Sequence, residues 1–137
     1  MNESMNLITG GCLCGSVRYR TSGDSTHPTL CHCSTCRRAS GAHLLGWVTF
    51  PKREFRFTAD PPTEFRSSTP VVRTFCSKCG TQLTYWNENS PDEIDVTIGS
   101  LDSPDNFPPA DHIWMSDAFV WDQPTDGLPQ YPSKRIE

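Results

Sequence analysis

A chain of 137 residues suits one domain, long enough to bury a core of its own, so bound metal would shape the fold and not substitute for a core. A formal charge of −4, with lysines and arginines scattered and never in a run, excludes strong attraction to nucleic-acid backbones. Only 35% of residues are hydrophobic while 12 are proline and 9 glycine, which argues for many short strands and numerous turns over long helices.

Residues 1–9 lack a cationic start followed by an apolar run, and no stretch is long enough to cross a bilayer, so the expected location is the cytoplasm, without a membrane partner. Gly10-Gly11-Cys12-Leu13-Cys14-Gly15 is a turn-rich lead into a strand over 16–21, where Val17 and Tyr19 alternate with polar neighbours. Residues 24–28 read as loop. Cys31-His32-Cys33-Ser34-Thr35-Cys36-Arg37-Arg38 follows, and three thiols within six residues point to a metal or redox site. A short helix is expected over 35–40, ended by Gly41. Alternation sets His32 opposite its neighbours, either hydrogen-bonded behind the turn or serving as a proton-transfer group or fourth ligand.

Strands are expected over 43–50 and 54–58, with Phe55 and Phe57 on one face, then over 63–67 and 71–75, the last delivering Cys76. Cys76-Ser77-Lys78-Cys79-Gly80 has the form of a zinc knuckle in which Gly80 takes a positive φ, and 81–86 leaves it as a strand. Residues 93–99 alternate Ile94, Val96 and Ile98 with polar residues, the clearest period-two signal in the chain. Beyond a proline-rich connection, 110–115 carries His112 and Trp114. Phe119, Val120 and Trp121 offer a last apolar cluster, and the tail from Pro124 is expected to be held by few contacts. The whole reads as a mainly β domain spanning 1–137, its core at about 8–121 and a polar tail after it.

The seven cysteines divide into C-x-C, C-x-C-x-x-C and C-x-x-C. Cys12, Cys14, Cys76 and Cys79 make two bidentate clips whose union around a tetrahedral ion closes a long loop, a saturated structural site. Cys31, Cys33 and Cys36 then leave a coordination position for a thiol, which a metal deprotonates outright. A second structural zinc completed by His32, or a disulfide-forming redox trio, are the competing readings. Clustered cysteines in a reducing compartment favour metal, and two knuckle-like clips favour zinc over iron.

The segments GGCLCGSVRY, CHCSTCRRASG, RTFCSKCGTQL, VTIGSLDSP and PADHIW resemble, in order and spacing, the glutathione-dependent formaldehyde-activating enzyme family, also known as centromere-protein-V-like domains. The resemblance runs from about Gly10 to Trp121. It implies the Mss4-like arrangement of short antiparallel strands with few helical turns. It also implies two zinc ions: a structural one on Cys12, Cys14, Cys76 and Cys79, and one on Cys31, Cys33 and Cys36 assigned to catalysis. The implied reaction joins glutathione and formaldehyde into S-(hydroxymethyl)glutathione, a carbon–sulfur lyase step run in reverse. Arg37 or Arg38 would pair with a glutathione carboxylate or lie at the surface, and His112 would shuttle a proton or sit at the core edge. A non-catalytic zinc-binding interaction module and a thiol redox sensor are the alternative functions, and self-association is compatible with the sequence.

Overall fold

A computed structural model describes residues 7–22 and 24–136. Of the segment 1–9 read for targeting, the first six residues lie outside the described ones. Among the described residues, ten strands and one α-helix are joined by short turns. β1 (Ile8–Gly11), β2 (Arg18–Thr21) and β5 (Arg56–Phe57) form a small antiparallel sheet in the order β1-β2-β5. The larger sheet takes β3 (Thr26–Cys31), β4 (Leu45–Pro51), β6 (Thr63–Ser68), β7 (Val71–Phe75), β8 (Gln82–Asn87), β9 (Glu93–Thr97) and β10 (Asp111–Ile113), in the order β10-β3-β4-β9-β8-β7-β6. All its pairings are antiparallel except β10 with β3. The helix, α1 (Ser34–Ser40), follows β3 directly.

Alternation decides what each face of the large sheet carries. Val48 opposes Val96 and Phe50 opposes Ile94 across β4 and β9, and all four are buried. With Val17, Tyr19, Phe55, Leu83, Leu101 and Phe107 they form the main core, which joins the two sheets and takes in Cys12 and Cys76. Phe55 and Phe57 both pack on the Tyr19 ring, at centroid distances of 5.2 and 6.5 Å. The Tyr19 hydroxyl reaches Ser100 Oγ at 2.7 Å, so Gly10 must be a glycine: a Cβ there would collide with that hydroxyl and the Ser100 carbonyl.

Several expected elements change at their ends. β9 stops at Thr97, and Ile98 opens a 3-10 turn, Ile98–Ser100, pinned by Thr97 and Ser100 hydroxyls. β3 begins at Thr26, inside the expected loop, through an irregular stretch where His27 has φ 54°. Phe119, Val120 and Trp121 form a surface cluster and not a buried one: Val120 and Trp121 are exposed, because they follow the last 3-10 turn at the surface, and the Trp121 ring rests on Phe119 at 5.0 Å and on His43 at 5.5 Å.

The tail is the larger correction. It lies along β10 and is held there by main-chain bonds: His112 N donates to Pro129 O, Tyr131 N to His112 O, and Trp114 N to Ser133 O, each at 2.9 Å. Arg135 adds an ion pair with the buried Asp111. Proline lacks the amide donor but keeps its carbonyl and presets an extended φ, so a polar, proline-rich segment can dock on a strand edge with little apolar burial.

Candidate functional site

The four-cysteine group is built by two turns. Gly15 (φ 81°) and Gly80 (φ 82°) take left-handed conformations after Cys14 and Cys79. In the second turn Gly80 N donates to Cys76 O at 2.8 Å and Cys76 N to Thr81 O at 3.0 Å. Main-chain amides face the sulfurs, Val17 N on Cys12 at 3.3 Å, and Lys78 N and Cys79 N on Cys76 at 3.3 and 3.4 Å. Hydrogen bonds from Thr81 hold the Cys79 thiol down at about 5. The four sulfurs lie within 4.8 Å of one another, with Cys12 to Cys14 at 3.6 Å and Cys14 to Cys76 at 3.8 Å. An ion bonded to four thiolates at about 2.3 Å spaces them about 3.8 Å apart, so the donor set fits a tetrahedral metal.

The three-cysteine group forms where β3 runs into α1. Cys31 is fixed by strands on both sides, paired with Leu45 of β4 and Ile113 of β10. Cys33 caps the helix: its sulfur accepts from Cys36 N at 3.2 Å, while Gly41 (φ 76°) closes the far end with its amide on Arg37 O at 2.7 Å. The three sulfurs also lie within 4.8 Å of one another. Cys31 and Cys36 are buried beside Trp47, Leu45, Tyr85 and Ile113, and the half-buried Cys33 opens towards a cavity.

That cavity, of about 470 Å³, is lined by all three cysteines together with Trp47, Arg73, Tyr85, Asp95, Trp114 and Asp117. A second cavity of about 470 Å³ shares Ser34, Thr35, Ser67 and Arg73 with it and continues to Arg38, Phe65 and Phe75. Arg73 is the residue that reading the sequence misses. Only 5% exposed, it sends Nη1 and Nη2 to within 3.8 and 3.7 Å of Cys36 Sγ, gives Nε to Ser67 Oγ at 3.0 Å, and lies 5.1 Å over the Tyr85 ring. Hydrogen bonds from Cys31 and Cys33, with Arg73 adding to them, push the Cys36 thiol well down, while the same sharing and burial push Cys31 up. The negative charge of the trio therefore sits beside the cation. The signal in the sequence is slight: Arg73 stands two residues from Val71, on the same face of the strand that delivers Cys76, but spacing alone does not say that this face meets the trio.

His32 does not join the trio. Buried with its back to the thiols, it shares a 2.9 Å hydrogen bond between its Nε2 and His112 Nδ1, and His112 Nε2 meets Asp126 Oδ2 at 2.8 Å. Burial lowers the His32 pKa. The chain His32–His112–Asp126 thus ties the cysteine loop to β10 and the tail, and His112 is a buried connector and not a core-edge side chain. Replacing His112 with alanine strands the buried His32 ring nitrogen and leaves a cavity, while the part-exposed Asp126 turns to solvent, and the expected cost is about 3 kcal/mol in denaturant-induced unfolding. Arg37 packs its guanidinium 5.2 Å over Phe119, outside the trio cavity, whereas Arg38 reaches the adjoining one.

Known proteins share this chain's sequence and fold. Residues 7–117 match the family described as glutathione-dependent formaldehyde-activating enzyme. A Halomonas elongata protein named "Putative glutathione-dependent formaldehyde-activating enzyme" is 30% identical over 124 residues, covering 84% of this chain and 79% of that one. A Rhodobacter sphaeroides protein of known crystal structure shares the fold with a TM-score of 0.54 at 21% identity, over 90% of this chain and 98% of its own.

Proposed function

Because the chain belongs to the glutathione-dependent formaldehyde-activating enzyme family, we propose that it joins a glutathione-type thiol to a small aldehyde, a carbon–sulfur lyase reaction in the bond-forming direction. The observation that carries this reading is a three-thiol group that opens on a walled cavity beside a buried arginine. Cys31, Cys33 and Cys36 would hold one zinc ion, and Cys12, Cys14, Cys76 and Cys79 a second, in one cytoplasmic domain. A zinc ion on the trio supplies a Lewis acid able to keep an incoming thiol as thiolate.

The protein's own residues account for the rest. Three thiolates around a divalent ion carry one net negative charge, which Arg73 offsets at Cys36, so a further thiolate enters a site that is not already strongly anionic. Trp47, Tyr85 and Trp114 wall the cavity with rings that exclude water and hold thiol and aldehyde together. Arg38, in the adjoining cavity, is placed to meet a carboxylate of the thiol substrate. The test follows S-(hydroxymethyl)glutathione formation by NMR exchange on metal-loaded protein. The expected result is acceleration over buffer that Cys33→Ala abolishes; a rate equal to buffer in the fully loaded wild type overturns the reading.

A further inference from the structure

The cavity contains a carboxylate that the metal groups do not use. Across the large sheet the register sets Thr49 of β4 opposite Asp95 of β9, Asp95 opposite Tyr85 of β8, and Tyr85 opposite Arg73 of β7. These four side chains form one row on the face away from the main core, the face that carries the trio. Asp95 lines the trio cavity, and it also lines a second, outward cavity of about 120 Å³ with Asn87, Ser90 and Glu93. One carboxyl therefore stands between the reaction space and a polar outlet.

Its hydrogen bonding leaves one oxygen available. Thr49 Oγ1 donates to Asp95 Oδ1 at 2.6 Å, and among the described residues no other donor reaches the carboxylate. No described cation pairs with it: Arg73 is spent on Cys36, Ser67 and the Tyr85 ring. The groups that face it are Thr49 from β4, Tyr85 from β8 and Glu93 on its own strand, with Arg73 beyond Tyr85. Burial, against the Thr49 hydrogen bond and with Glu93 adding, pushes the Asp95 carboxyl up to about 6. A neutral residue would satisfy Thr49 equally well, so an ionisable group without a counterion has no structural advantage here.

We infer that Asp95 is the proton carrier of this pocket, taking the proton of the incoming thiol on Oδ2 and delivering it to the carbonyl oxygen as the carbon–sulfur bond forms. The inference rests on the reaction proposed above. The balance closes without another reactant: the S–H bond breaks, the S–C bond forms, the C=O π pair becomes an O–H bond, and Asp95 begins and ends as carboxylate. The reverse reaction retraces the same transfers. A carrier that titrates near the working pH is suited to both directions.

The test compares wild type with Asp95→Asn, which keeps an acceptor for Thr49, and with Asp95→Glu, in metal-loaded protein. The expected result for Asp95→Asn is a fall in kcat of about 100-fold, with glutathione affinity unchanged and the pH-rate limb near 6 lost, and partial rescue by Asp95→Glu. Separately, the Asp95 carboxyl carbon, followed by 13C NMR between about pH 4 and about pH 8, should titrate near 6 and not at the ordinary value of about 4. Linkage gives a third reading. The folded chain holds this proton where the unfolded chain has released it, so the stability it contributes is present below pH 4 and lost as pH rises through 6. Asp95→Asn should flatten the melting temperature across that window. Turnover and a pH profile left intact by Asp95→Asn, or a carboxyl midpoint near 4, overturn the carrier alone. Absence of turnover in the wild type sinks the reaction, and the carrier with it.

Discussion

Cys76→Ala is expected to abolish the folded state, and prolonged exposure of the wild type to a strong chelator to do the same. Cys76 is 1% exposed and belongs to the main core, in the same cluster as Tyr19, Val48, Leu83 and Val96. The four-thiol group it joins brings the lead-in to β2 against the turn between β7 and β8, segments more than 60 residues apart. A metal bound there would clip these distant segments together and close the long loop between them. Apparent binding free energies for structural zinc are on the order of 10 kcal/mol, comparable to the whole stability of an ordinary domain. Among the described residues, four thiols gathered within 4.8 Å without an ion have no compensating partner beyond main-chain amides and the Ser16 and Thr81 hydroxyls. The measurement is far-UV circular dichroism with metal analysis on the same samples. A Cys76→Ala protein that melts within a few degrees of wild type while lacking this ion would show that the core, and not the clip, sustains the fold.

How much of this was legible in the sequence depends on whether an interaction is local. The cysteine clusters were legible because they close within three, six and four residues, so spacing alone reports what metal geometry would require, and the structure gathers the seven thiols in the same two groups. Gly41 and Gly80 were legible for the same reason, since each sits directly behind the turn it completes. So were Ile94 and Val96, whose alternation is written in five consecutive residues. Arg73 and Asp95 were not. A charged residue within a strand reads as solvent-facing, and only the register of four strands shows that both stand in one row beside the trio. The His32–His112 pair spans 80 positions, and the docking of the tail on β10 is a matter of main-chain donors that carry no side-chain signature. Resemblance to a family supplied the mainly β class of short antiparallel strands, but neither their order in the sheets nor which side chains line the cavity.

Cys33→Ala separates a functional second group from a structural one. Cys33 is half-buried, and its cluster with Cys31, Cys36 and Trp47 is distinct from the main core. Its structural duty is to cap a seven-residue helix, worth about 1 kcal/mol. Loss of the metal on the trio leaves β3 paired with β4 and β10, and leaves His32 bonded to His112. The variant is therefore expected to fold, to retain one metal ion per chain where the wild type holds two, and to lose thiol–aldehyde addition. Its melting temperature should fall by a few degrees, far less than the collapse expected of Cys76→Ala. Metal content per chain and thermal unfolding, measured on both variants purified alike, decide the matter. If Cys33→Ala destabilises as severely as Cys76→Ala, both groups serve the fold and the trio has no position to spare for a substrate. If it folds with its metal content unchanged, the trio holds no metal in the wild type, and its three thiols must be assigned to redox chemistry instead.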